Sequence, residues 1–111
     1  MTHRATSLLI EDIIKSANRI KEYSSGLDFD SFSSDYKTLD AIARNFGIIH
    51  EASKNIPKEF KSQYPSIEWN KIIGLQDQIM IDYTRVDPKI VWTIINEYLI
   101  KLISDISKIE Y

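Results

Sequence analysis

Cysteine is absent from this 111-residue chain, which excludes a disulfide framework and every thiolate metal site. The same absence fits a reducing compartment, so the expected location is cytoplasmic. Histidine is scarce: with only His3 and His50, a metal would have to be held by carboxylates and two imidazoles. A surplus of positive charge is missing as well. Lys+Arg of 14 against Asp+Glu of 16 gives a formal charge of -2, so no global field draws in a polyanion such as RNA. Any RNA contact must then come from a local patch. No apolar run approaches the length that spans a bilayer, and Met1 to Ser7 lack the charged, apolar and small-residue order of a signal peptide. What remains is a soluble intracellular chain of one domain, residues 1–111, long enough to bury roughly two thirds of its unfolded surface.

The apolar residues that are present recur at helical spacing. From Ser7 to Tyr23, Leu9, Ile13, Ile14, Ala17 and Ile20 mark an amphipathic helix that Ser24, Ser25 and Gly26 end. Leu27 to Ser34 reads as a polar connection with two aromatic anchors, Phe29 and Phe32, and Ser34 or Asp35 can cap the next helix. That second helix, about Asp35 to Asn55, lines up Leu39, Ile42, Phe46, Ile49 and Ala52. Pro57 opens a short helix through Tyr64, and Pro65 stops it. Ser66 is placed to cap a helix that passes Gly74 and runs to about Asp82. Asp87-Pro88 then opens a last helix with Val91, Ile94, Tyr98, Leu102 and Ile106 on one face. Ile95, Leu99 and Ile103 widen that stripe beyond the needs of one small bundle, which points to a central helix or a dimer seam. No strand alternation is visible. The fold class expected is all-α: an up-and-down bundle of four main helices plus one short helix.

Some side chains carry both a structural and a chemical reading. Phe46, Trp69 and Trp92 could stack RNA bases, yet each sits at a core spacing without basic interleaving, so packing is expected. Lys54, Lys58, Lys61 and Lys71 form a local basic patch, expected as a solvated face offset by Glu51, Glu59 and Glu68, and the first place to look for an RNA track. Arg44 is expected to pair with Asp40 one turn earlier. His3 is expected as an exposed terminal residue.

Four segments taken together are more specific: RNFGIIHEASKNIP from Arg44, YPSIEW from Tyr64, KIIG from Lys71 and VDPKIVW from Val86. In this order they resemble the HepT-like branch of the HEPN proteins, small all-helical ribonuclease toxins that pair with a minimal nucleotidyltransferase antitoxin. The resemblance covers about Leu8 to Ile106. In that family the segment after the Ile-Ile-Gly step carries an arginine, four intervening residues, a histidine, any residue and a tyrosine. The matching positions here are Gln76, Ile81 and Tyr83.

The resemblance implies a metal-independent endoribonuclease without a cofactor. In such an enzyme histidine moves the proton of the attacking 2'-hydroxyl, and arginine stabilises charge on the phosphorane. Gln76 carries no charge and Ile81 can neither donate nor accept a proton, so the activity implied for this chain is weak or lost. Asp77 and Asp82 are expected to add negative charge where a phosphate would sit. The wide apolar stripe of the last helix leads to the expectation of a homodimer, and the family implies modification of Tyr83 with AMP by the partner nucleotidyltransferase. The alternative for Tyr83 is an anchor of the turn before the last helix, its ring packed. A second candidate pair, Arg44 and His50, fits the loose spacing seen across HEPN proteins. Six helical positions rotate the two by roughly 120 degrees, so one chain does not aim them at one phosphate. The runner-up function is a non-catalytic helical subunit that docks and regulates a minimal nucleotidyltransferase.

Overall fold

The computed structural model describes residues 5–111, so His3 lies outside the described residues. The helices are α1 (Thr6–Ser24), α2 (Phe29–Ser34), α3 (Tyr36–Asn55), α4 (Lys58–Lys61), α5 (Trp69–Ile79), α6 (Pro88–Glu97) and α7 (Leu99–Ser107). Between α5 and α6 a small antiparallel hairpin is formed by β1 (Met80–Asp82) and β2 (Arg85–Val86). The fold class is all-α, as the periodicity implies.

The longest helices build the core. α3 packs against α1 and α5, and α7 lies on α1. Their shared interior holds Ile10, Ile13 and Ile20 of α1 with Ile42, Phe46 and Ile49 of α3, all fully buried. Side chains of this size contribute about 1.5–3 kcal/mol each when removed from water, so the stripe of α3 alone outweighs any surface ion pair. Gly26, with φ 78°, takes the left-handed conformation just beyond α1 that a β-carbon would disfavour. Asp35 caps α3: its carboxylate accepts from Thr38 N–H at 3.1 Å and from Thr38 Oγ1 at 2.7 Å. These bonds hold its carboxyl below the usual carboxylate range.

The structure corrects the sequence reading in several places. Leu27 to Ser34 is no plain connection, because Asp28 accepts from Ser31 N–H at 2.8 Å and nucleates α2. Phe32 from that helix is fully buried, its ring centroid 4.8 Å from Trp92. The helix after Pro57 closes at Lys61 rather than Tyr64. Glu68, not Ser66, stands at the start of α5 and makes no side-chain cap. The continuous last helix breaks at Tyr98, whose φ of -130° interrupts the helical run between α6 and α7. Its apolar stripe is nonetheless buried as read, through Val91, Ile94, Tyr98, Leu102 and Ile106. Ile90 and Ile100 remain exposed. Among the described residues no helix is long and apolar enough to cross a membrane.

Candidate functional site

α5 buries Trp69, Ile72, Leu75 and Ile79, a three- and four-residue spacing that seats one face on α3 and leaves the other free. Gln76 lies beside the buried stripe, and its amide is accommodated by Gly47 of α3. A β-carbon built at Gly47 would stand 3.0 Å from Gln76 Nε2. One turn along the same contact, His50 Nδ1 lies 2.7 Å from the Ile73 carbonyl oxygen. A carbonyl can only accept, so Nδ1 carries the hydrogen and Nε2 is left as the acceptor of the neutral ring. The half-buried His50 thus ties α3 to α5.

The helix ends at Ile79, and the chain turns extended at Met80. Asp87 N–H donates to the Ile79 carbonyl at 2.7 Å and closes the base of the hairpin. At its tip one carboxylate gathers four donors. Asp82 accepts from Thr84 N–H at 2.9 Å and Thr84 Oγ1 at 2.6 Å, and from Arg85 Nε at 3.1 Å and Nη2 at 3.0 Å. The Thr84 hydroxyl bond leads in holding the Asp82 carboxyl down at about 2, followed by the Thr84 amide and Arg85. With its oxygens satisfied, Asp82 organises the turn rather than presenting the free negative charge expected for it. Strands of two and three residues are too short to show an alternating pattern, which is why the hairpin left no signal in the sequence.

Tyr83 sits at the tip with 94% of its surface exposed, so the expectation of a packed anchoring ring is wrong. Ile81, 54% exposed, opens onto a cleft of about 310 Å³ shared with Tyr36 and Asp40 of α3 and with Arg85. Asp77 is exposed on α5. Gln76 is therefore on the helix against α3, whereas Ile81 and Tyr83 follow on the hairpin.

The alternative pair is not assembled: Arg44 is exposed, and no hydrogen bond joins it to His50 among the described residues. The expected Asp40–Arg44 ion pair is also not formed among the described residues, whose ion pairs include Asp82–Arg85, Glu68–Lys101 and Lys101–Asp105. Glu68 therefore does not offset the lysine patch but pairs with Lys101. The aromatic residues are structural, as read. Phe46 is fully buried, Trp69 is 8% exposed and donates from Nε1 to the Tyr64 carbonyl at 3.2 Å, and Trp92 is flanked by Phe29 and Phe32. Tyr98 is buried at the α6–α7 break, and its hydroxyl has no hydrogen-bond partner among the described residues. Burial, then the nearby Glu68 charge, pushes it up to about 12.

Sequence comparison places these features in a family. The family model described as HepT-like, "Ribonuclease HepT-like", matches residues 13–109. A Thermococcus cleftensis protein named "Probable ribonuclease HepT" is 36% identical over 88 residues, covering 79% of this chain and 80% of that protein. A Methanocaldococcus jannaschii protein named "Putative RNase MJ0127" is 30% identical over 110 residues, covering 99% of this chain and 88% of its own length. No solved structure matches the chain. With the all-α core and these matches in agreement, the chain belongs to the HepT-like ribonuclease family.

Proposed function

We propose that this chain is the HepT-like member of a toxin–antitoxin pair whose ribonuclease activity is weak or lost, and whose exposed hairpin is the surface met by a minimal nucleotidyltransferase. The carrying observation is the chemistry of the α5–hairpin segment. Gln76, packed on Gly47, offers hydrogen bonds but no charge, and Ile81 offers its cleft no proton-transferring group. Arg85, the one cation among the described residues that line that cleft, is engaged by Asp82 through both Nε and Nη2. Loss of a general base alone lowers a rate by about a hundred- to ten-thousandfold, and loss of the cationic donor adds to that.

Tyr83 supports the partner half of the reading. Its hydroxyl is free to approach an incoming nucleotide, because the ring stands off the body of the protein at the tip of a turn stiffened by Asp82. Transfer would join the tyrosine oxygen to the α-phosphorus of ATP, with pyrophosphate leaving and the phenol proton lost to a base. A homodimer belongs to the same proposal, supported by the exposed apolar side chains Tyr36, Ile81, Ile90 and Ile100. The test is co-expression with a nucleotidyltransferase encoded beside this chain, followed by co-purification and intact-mass measurement. The expected result is a stable complex and a gain of one adenylate that Tyr83→Phe abolishes. Absence of both complex and adenylate would overturn the partner reading.

A further inference from the structure

At the opposite end of α5 from the hairpin, α4 and the opening turn of α5 border a groove of about 580 Å³. Lys58 and Lys61 line it from α4, and Lys71 and Trp69 from α5. None of these three lysines has an ion-pair partner among the described residues. Lys101 nearby is the contrast, its ammonium held by Asp105 at 2.7 Å and Glu68 at 3.0 Å. Glu68 is the one acid lining the groove, and that contact already engages its carboxylate. No ion pair among the described residues offsets the charge of these lysines, and two of them are steadied by aromatic rings. Lys61 Nζ lies 5.9 Å from the Trp69 ring centroid, and Lys71 Nζ lies 4.1 Å from that of Tyr98.

Such a groove is short of negative charge. Burial, and after it the charge of Lys58, holds the Lys61 ammonium below its ordinary range. An anion between the two would relieve their repulsion. The first turn of α5 contains no acidic residue, and the N–H groups of Asn70 and Lys71 have no partner among the described residues, so donors rather than acceptors face an approaching ligand. Trp69 is too covered to stack a base, which leaves charge and N–H donors as the recognition chemistry.

We infer that this groove is an RNA-phosphate anchoring site built from Lys58, Lys61 and Lys71, separate from the Gln76–Tyr83 segment. The inference rests on the reading of the chain as an RNA-handling protein, and it supplies what the net charge of -2 denies to the molecule as a whole. Lysines act here as point charges for phosphate oxygens, without base readout. Asn70 and Gln76 are six residues apart, about 9 Å along the helix axis and roughly 120 degrees apart around it, so the groove and the Gln76 position are separate surfaces of α5.

The test is fluorescence anisotropy with a labelled, single-stranded 2'-O-methyl oligoribonucleotide, which cannot be cleaved through its 2'-hydroxyl, over a series of salt concentrations. Single-strand binding weakens with salt by about 0.7 in log–log slope per phosphate neutralised. Lys58→Gln, Lys61→Gln and Lys71→Gln together should make that slope shallower by about two and weaken low-salt binding by roughly tenfold or more. The charge-matched variant Lys15→Gln, Lys21→Gln, Lys108→Gln should leave the slope unchanged. If the first variant loses its far-UV helical signal, the pair Lys58→Gln and Lys71→Gln, both at exposed residues, should still lower the slope by about 1.4. Failure of the wild-type chain to bind, equal loss in the charge-matched variant, or displacement of the strand by polyglutamate at equal charge would overturn the proposal. Because the probe cannot be cleaved, binding without any ribonuclease activity would support this site while leaving the proposed function to its own test.

Discussion

At the start of α5 three lysines line a groove with no acid paired to them, whereas past the end of the same helix Arg85 is clamped by Asp82 through two nitrogens. One region keeps cations available, and the other uses its cation to fix a turn. The difference follows from local geometry. α4 and the first turn of α5 bring lysines from two segments together, while the hairpin puts an acid three residues before its arginine. On the proposed reading, the same contrast lets the fold hold its shape while its chemistry changes. The buried face of α5 depends on Trp69, Ile72, Leu75 and Ile79, and none of these is a position to which the family resemblance assigns chemistry.

Two perturbations sharpen the contrast, the larger at the α3–α5 contact. Alanine exceeds glycine in helix propensity by about 1 kcal/mol, but Gly47→Ala must shift the Gln76 amide that lies 3.0 Å from the added carbon. The expected outcome is near-zero change in denaturant stability for Gly47→Ala alone, and a gain of about 1 kcal/mol when it is made in a Gln76→Ala background. Simple additivity of the two changes would mean that Gln76 is not held against α3.

The smaller effect is local to the hairpin. The folded Asp82 carboxyl lies at about 2, below its ordinary value of 3.8, so its contribution is present above the ordinary value and is lost as pH falls toward 2. Protection of the Thr84 amide, relative to its intrinsic exchange rate at each pH, should therefore fall between about pH 4 and pH 2 while the core signals change little, and Asp82→Asn should produce the same loosening at neutral pH. If Thr84 is equally protected in Asp82→Asn, the carboxylate does not organise the turn. The lysine groove, which does not use Asp82, should bind its strand unchanged in this variant.

Much of this arrangement was legible in the chain. The stripes of α1 and α3 and the Asp87-Pro88 start of α6 follow from spacing and from proline's tolerance at a first helical position. The break at Tyr98 was not legible, because its apolar side chain continues the stripe across a gap that only backbone angles reveal. α2 escaped because its six residues are mostly Ser and Asp, and its stability comes from the Asp28 cap and the burial of Phe32 against Trp92. At the candidate site, Gln76, Ile81 and Tyr83 could be picked out only by resemblance. Their surroundings depend on pairings across the fold, such as Gly47 with Gln76 and His50 with Ile73. The lysines were visible as a patch, but their assembly into a groove required the chain to turn between Lys61 and Trp69.

The most direct test of the central claim measures RNA cleavage with chelator present, comparing the wild-type chain with the double variant Gln76→Arg, Ile81→His. The wild-type protein should leave a structured RNA intact, while the variant, folded as judged by its helical signal, should cleave it at least about a hundredfold faster, the lower bound expected for restoring a general base. Robust, metal-independent cleavage by the wild-type chain would contradict the claim that Gln76 and Ile81 leave this site without its cation and base. If a folded double variant stayed inert, positions 76 and 81 would not face a common substrate, and the chain would be better described as a binding subunit.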